Sequence, residues 1–228
     1  AGSNSSLTIT ARPITITANS NQTKIYGNAD PTFAYTPQAN TTNAGLVGSD
    51  SFSGSLARAT GENVGSTYAI NLGTLANSNY NITFVPANFA ITARPITITA
   101  NAQSTIYGNG LTLGTSAYSL TGTLASTDTL IGVALQYNSS ATVPTTTNAG
   151  TYSIVPSAAT GTGAFNTTNY NITYVPATLT VGKAPLTISG TKGYDGTTNI
   201  IAANLSSTNG LINSEVIVVS AGTAVTSS

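Results

Sequence analysis

The sequence predicts an all-β protein assembled from tandem modules, and three observations predict it. Apolar residues alternate with Thr, Ser, Asn or Ala along most of the chain, as at Ile14/Ile16, Tyr68/Ile70/Leu72 and Tyr80/Ile82/Phe84. No stretch long enough for an α-helix carries the helical period. The segment ITARPITITAN at Ile9–Asn19 returns letter for letter at Ile91–Asn101.

The alternation continues at Phe33/Tyr35, Tyr118/Leu120 and Ile131/Val133/Leu135/Tyr137, and the polar partners give each strand one wet face. The only expected departure is one helical turn at Asp50 or Asp128, each beside a Ser or Thr able to cap it. Repetition extends well beyond the opening segment. NYNITFVPANFAIT (Asn79–Thr92) recurs as NYNITYVPATLTVG (Asn169–Gly182), and KIYGN (Lys24–Asn28) as TIYGN (Thr105–Asn109). GSDSF (Gly48–Phe52) corresponds to STDTL (Ser126–Leu130), and VGSTYAI (Val64–Ile70) to AGTYSI (Ala149–Ile154). A third start, KAPLTISG (Lys183–Gly190), leads into a different unit, GYDGTTN. The expected organisation is residues 1–10 as the final strand of a preceding module, 11–92 and 93–182 as two full modules, and 183–228 as part of a third.

The repeated Pro marks the joins. Ahead of Pro13 the apolar residues are Leu7 and Ile9; after it they are Ile14, Ile16 and Ala18, one place out of phase. The same slip separates Phe89/Ile91 from Ile96/Ile98 across Pro95, and Leu179/Val181 from Leu186/Ile188 across Pro185. A one-residue slip turns every following side chain to the other face. Pro also removes a ladder donor and restricts its predecessor, so the last strand of one module does not merge with the first of the next. No Gly/Ser spacer intervenes, which makes the joint short and stiff.

Composition excludes several functions. Of 228 residues 5% are charged, net charge is zero, and Cys, Met, Trp and His are absent, while 40% are hydrophobic. That apolar content supports a core. Singly spread charges form neither a nucleic-acid footprint nor a polybasic membrane patch. No apolar run approaches the roughly 20 residues of a membrane-spanning helix and no signal peptide opens the chain, which therefore reads as part of a longer protein. Absence of Cys suits either a reducing cytosol or an exported chain, and the hydroxyl- and amide-rich composition favours export.

Without His or Cys, the usual nucleophilic triads and zinc or iron sites are unavailable. A glycosidase needs two carboxyls across one cleft, whereas Ala93–Gly182 holds one acid, Asp128. The first module's Asp30 and Glu62 have no counterpart in the second. No catalytic, cofactor-binding or metal residue is therefore expected. Asp50 and Asp128 lack the oxygen-rich run of a calcium loop and read as carboxylates bonding backbone amides in a turn. A Lys–Asn isopeptide staple is not a general device, because the second module carries no Lys; a Lys24–Glu62 encounter reads as an ordinary surface ion pair. Thr15/Thr17 and Thr97/Thr99 read as a wet strand face rather than an ice-binding array. Tyr68 and Tyr152 read as core rings whose hydroxyls bond nearby backbone, the alternative being sugar stacking. Of eight N-x-Ser/Thr sequons, Asn81 and Asn171 occupy equivalent positions and are expected to face outward.

These features favour tandem, end-to-end β-sandwich modules of the immunoglobulin-like kind, with β-grasp-like modules as the alternative. The stretch from KIYGNADPTFAYT through NYNITFVPANFAITARPITITA resembles the MBG domain of the YGX type. The second module, with IYGN, TDTL, NAGTYSI and NYNITYVPATLTV, resembles it without the Asp-Pro, and GTKGYDGTTN resembles the start of a YDG domain. The resemblance implies a tandem array in a large exported surface protein, such as a filamentous-haemagglutinin-like bacterial adhesin, and no catalytic residue. The expected role is a non-catalytic spacer outside the cell, its partners being neighbouring modules and other copies in a fibre. The alternatives are a glycan- or matrix-binding module and a self-assembling filament subunit. Neither nucleic acid nor membrane insertion is expected.

Overall fold

The computed structural model describes residues 7–197 and 200–218. Among them the only helical segments are 3-10 turns at Thr167–Asn169 and Ala202–Asn204, and the chain is all-β. The helical turn expected at Asp50 or Asp128 does not form. Each Asp closes a β-turn, donating its N–H to the carbonyl of Val47 at 3.1 Å or of Ala125 at 2.9 Å. The chain then resumes extended structure, and a single i→i+3 bond nucleates nothing. The β-grasp alternative loses its helix with it.

The first repeat contains β1 (Arg12–Ala18), β2 (Gln22–Ile25), β3 (Tyr35–Pro37), β4 (Ala57–Arg58), β5 (Thr67–Asn71), β6 (Tyr80–Val85) and β7 (Asn88–Thr92). They form two sheets, ordered β3-β1-β6 and β4-β5-β7-β2. The opening stretch is divided between them: β1 runs parallel to β6, with Ile14 opposite Ile82, and β2 runs parallel to β7. Ile14, Ile16 and Ala18 are buried, as are Tyr68, Ile70, Phe89 and Ile91 of the other sheet. Phe33 meets Phe89 edge-on, ring centroids 5.2 Å apart. Each such side chain contributes on the order of 1.5–3 kcal/mol by leaving water.

The second repeat contains β8 (Arg94–Ala100), β9 (Gln103–Ile106), β10 (Leu111–Thr112), β11 (Tyr118–Thr121), β12 (Asp128–Gln136), β13 (Thr142–Val143), β14 (Gly150–Gly163), β15 (Tyr170–Val175) and β16 (Ala177–Gly182). Its sheets are ordered β11-β8-β15 and β12-β14-β16-β9, the first repeat's scheme strand for strand, with β10 and β13 pairing as a small addition. The described chain divides into two compact units. One runs up to Ile96 and adds Gly122–Ile131 and Thr160–Thr173; the other holds Thr97–Thr121, Gly132–Ala159 and the chain from Tyr174 onward.

The phase slip across Pro95 is present: Phe89 and Ile91 are buried, then Ile96, Ile98 and Ala100, with Ala93 alone between β7 and β8. Two other expectations are corrected. Ile131 is exposed although Val133, Leu135 and Tyr137 are buried, because Gly132 and Val133 are buried in succession and the pattern slips there. After Pro185, Leu186 and Ile188 are exposed. The strands β17 (Thr187–Gly190) and β18 (Leu205–Asn209) form a two-stranded sheet, and among the described residues no second sheet covers it.

The paired tyrosines fulfil their expected role. Tyr68 Oη donates to the Asn63 carbonyl at 2.8 Å and Tyr152 Oη to the Asn148 carbonyl at 2.8 Å. Tyr68 is buried and Tyr152 half-buried. Thr15, Thr97 and Thr99 are half-buried and Thr17 is exposed, an ordinary strand face, while Asn81 and Asn171 face solvent.

Candidate functional site

The repeated Arg-Pro, Tyr-Gly-Asn, Asp and Asn-Tyr-Asn segments meet at one place, the junction where the first repeat hands over to the second. Every residue in it belongs to the first compact unit. The chain turns at Tyr26-Gly27-Asn28, with the Asn28 N–H on the Ile25 carbonyl at 3.0 Å. Gly27 has φ of 78°, and a Cβ there would lie 2.5 Å from the Ala125 Cβ, so the position admits glycine alone. Tyr26 N–H donates to the Thr92 carbonyl at 2.9 Å, tying this turn to the end of β7.

Tyr26 is thereby carried onto Asp128. Its hydroxyl donates to Asp128 Oδ2 at 3.1 Å, and Tyr170 Oη donates to the same oxygen at 2.6 Å. The Tyr170 hydroxyl also accepts the Ala125 N–H at 3.0 Å. The two rings pack edge to face, centroids 5.5 Å apart. Arg94 closes the other side: Nε donates to the Tyr26 carbonyl at 2.8 Å, Nη2 to Asn28 Oδ1 at 2.5 Å, and Nη1 to Thr123 Oγ1 at 3.0 Å. A second contact comes from the loop before β5, where Val64 N–H donates to Asn169 Oδ1 at 2.9 Å. Asp128, Asn169, Tyr26 and Tyr170 are all buried.

Asp128 therefore holds two tyrosine hydroxyls, rather than the backbone amides expected of it. Local sequence pattern marks the Asp and the Pro but not Tyr26, Arg94, Asn169 or Tyr170. The available signal was joint retention: Arg12/Arg94, Tyr26/Tyr107, Asp50/Asp128 and Tyr80/Tyr170 each occur in both repeats, whereas Asp30 and Glu62 occur in one.

Burial, and secondly the bond to Asp128, push the Tyr170 hydroxyl up to about 12; the same causes raise Tyr26. An unfolded tyrosine ionises near about pH 10. The folded chain keeps a proton that the unfolded chain loses, so this stabilisation is complete below about pH 10 and disappears as pH rises to about 12. Urea unfolding should therefore show stability falling by about 2 kcal/mol across that window, with a shallower fall in Tyr170→Phe. A stability independent of pH there would contradict the assignment.

Lys24 and Glu62 do meet, but not as a lone surface pair. Lys24 Nζ lies 2.7 Å from Asp30 Oδ1 and 2.6 Å from Glu62 Oε2, and Arg58 bridges the same two carboxylates at 2.7 and 2.5 Å. Both cationic side chains are buried, and the Arg58 guanidinium lies 5.1 Å from the Tyr68 ring centroid. The two carboxylates hold Lys24 above its ordinary value against the opposing effect of burial, so its amine stays protonated and non-nucleophilic. Among the described residues no group of three or more acidic side chains could hold a metal ion.

The family model of the MBG domain (YGX type) matches residues 14–90 and again 96–180. No curated protein and no solved structure matches this chain.

Proposed function

The chain belongs to the MBG domain family of the YGX type, and from that premise we propose that it is a non-catalytic stalk or spacer segment of a secreted bacterial surface adhesin or fibre. The junction built on Asp128 carries this reading. Arg94, Asp128 and Tyr170, which the first repeat matches with Arg12, Asp50 and Tyr80, gather the Tyr-Gly-Asn loop of the first repeat, and a chain of such joints sets distance. The charged groups point the same way. Asp30 and Glu62 hold Lys24 and Arg58, Asp50 and Asp128 hold tyrosine hydroxyls, Asp195 holds Lys192, and Glu215 accepts from Tyr107. Each carboxylate is engaged by its own chain.

On this reading residues 11–92 and 93–182 are successive spacer modules, Lys183 opens a YDG-type module, and the protein lies outside the cell. Antibodies raised against the chain should label intact, unpermeabilised cells of the source organism. Labelling that appears only after lysis would overturn the assignment.

A further inference from the structure

We propose that the pocket bounded by Arg12, Asp50 and Tyr80 is a docking socket for the Tyr-Gly-Asn loop of another MBG-type repeat, joined ahead of Leu7 in the same polypeptide. The inference rests on the spacer reading and specifies how successive repeats recognise one another.

The pocket reproduces the acceptor half of the Asp128 junction. Tyr80 Oη donates to Asp50 Oδ2 at 2.7 Å and accepts the Val47 N–H at 2.9 Å, as Tyr170 does with Asp128 and Ala125. Arg12 Nε donates to the Gly45 carbonyl at 2.9 Å; Arg94 Nη1 reaches the carbonyl of the equivalent Thr123 at 3.4 Å. The two sites differ in the arginine and in cover. Arg94 gives Nε and Nη2 to the Tyr26 carbonyl and Asn28 Oδ1 of the docked loop, whereas Arg12 Nη2 turns to Asn40 Oδ1 and to the Thr41 and Ala44 carbonyls of its own repeat, bonds that an incoming loop would exchange. Ala125 is 7% exposed and Asn169 1%, beneath the loops that carry Tyr26 and Val64. Their counterparts are open: Val47 is 43% exposed, and Asp50 and Asn79 are also exposed. Together with Ile9 these residues line a cavity of about 280 Å³. Val47 stands where the second repeat has Ala125, which adds apolar surface to the socket wall.

Two further observations identify the occupant. Leu7 and Ile9 hold the sequence places of Phe89 and Ile91, buried in β7, yet are 90% and 88% exposed and lie outside any strand. Thr10 holds the place of Thr92, whose carbonyl receives the Tyr26 N–H. The segment entering the socket thus has the pattern of a strand that ends beside a donor loop. In addition, the second Tyr-Gly-Asn loop also finds a carboxylate: Tyr107 Oη donates to Glu215 Oε1 at 2.6 Å, and a Cβ on Gly108 would strike Ile212. A donor loop hydrogen-bonded to the strand that leads straight into the acceptor arrives at high effective concentration, which favours a repeat in the same chain over a second copy.

The test extends the chain by placing residues 11–88 ahead of Leu7, so that Leu7–Thr10 completes the added repeat. Hydrogen exchange should slow at least tenfold over Val47–Asp50 and over Leu7–Thr10. Tyr26→Ala in the added repeat should restore fast exchange at Val47–Asp50 while Leu7–Thr10 stays protected. Unchanged exchange at Val47–Asp50, or equal protection in the Tyr26→Ala chain, would overturn the proposal. If Leu7–Thr10 shows that the added repeat has not folded, a chain duplicating residues 11–92 ahead of Ala11 gives the same readout with its own Phe89 and Ile91. Protection that grows with the concentration of the unextended chain would assign the socket to a second copy and overturn the assignment made here. Cell-surface labelling is independent of these outcomes, so failure of the socket leaves the spacer reading to its own test.

Discussion

Asp128→Ala should destabilise the first compact unit by about 3 kcal/mol, while the matched Asp50→Ala should cost under about 1 kcal/mol. Asp128 Oδ2 is the acceptor for two buried hydroxyls, and truncation leaves both donors away from water. Each buried unsatisfied group costs on the order of 1–3 kcal/mol. Among the described residues Asp50 accepts from Tyr80 alone, and it lies at an open pocket, where water replaces the lost acceptor. The pair forms an internal control: same residue type, same turn, same tyrosine partner, different cover. Urea unfolding followed by circular dichroism reads both variants. Equal losses would mean that the tyrosine–carboxylate contact matters only within a repeat, and the junction would lose its energetic basis.

Gly27→Val should cost about 3 kcal/mol, from two separable sources. A left-handed φ costs a residue with a Cβ roughly 1–2 kcal/mol. The side chain would also enter space occupied by the Ala125 Cβ, and forced repacking costs typically about 1–3 kcal/mol. Gly65→Ala isolates the first source, since Gly65 has φ of 85° with nothing within 4 Å of a Cβ. Its loss should stay near about 1 kcal/mol. Should Gly27→Val prove no worse than Gly65→Ala, the close approach of the Tyr-Gly-Asn loop to Ala125 would be refuted.

Much of this fold was legible in the sequence because burial and strand period are coupled one to one. Ile14/Ile16, Tyr68/Ile70 and Phe89/Ile91 point inward as their alternation requires, and the phase slip at Pro95 locates the handover between strands. The sequence ceases to report burial where that coupling breaks. Period two cannot register the slip at Gly132/Val133, because a glycine carries no side chain to mark its face. It cannot tell that Leu186 and Ile188 lack a covering sheet, since their pattern is that of a buried strand. The junction escaped for another reason. Its members are polar, singly placed and far apart in sequence, Tyr26 from Asp128 and Val64 from Asn169, so no local pattern unites them. Only comparison of the two repeats, position by position, singles out Arg, Tyr, Asp and Tyr as a set.

The Asp128 junction is expected to lock the Tyr-Gly-Asn loop of one repeat to the next without slack. Because the chain has no Cys, Thr83→Cys and Thr173→Cys, both exposed and both in the first compact unit, give one clean pair of spin labels, one from each repeat. Pulsed electron paramagnetic resonance should return a single narrow distance distribution that broadens when Asp128→Ala is added. A broad distribution in the chain with Asp128 intact, unchanged by that substitution, would contradict the account.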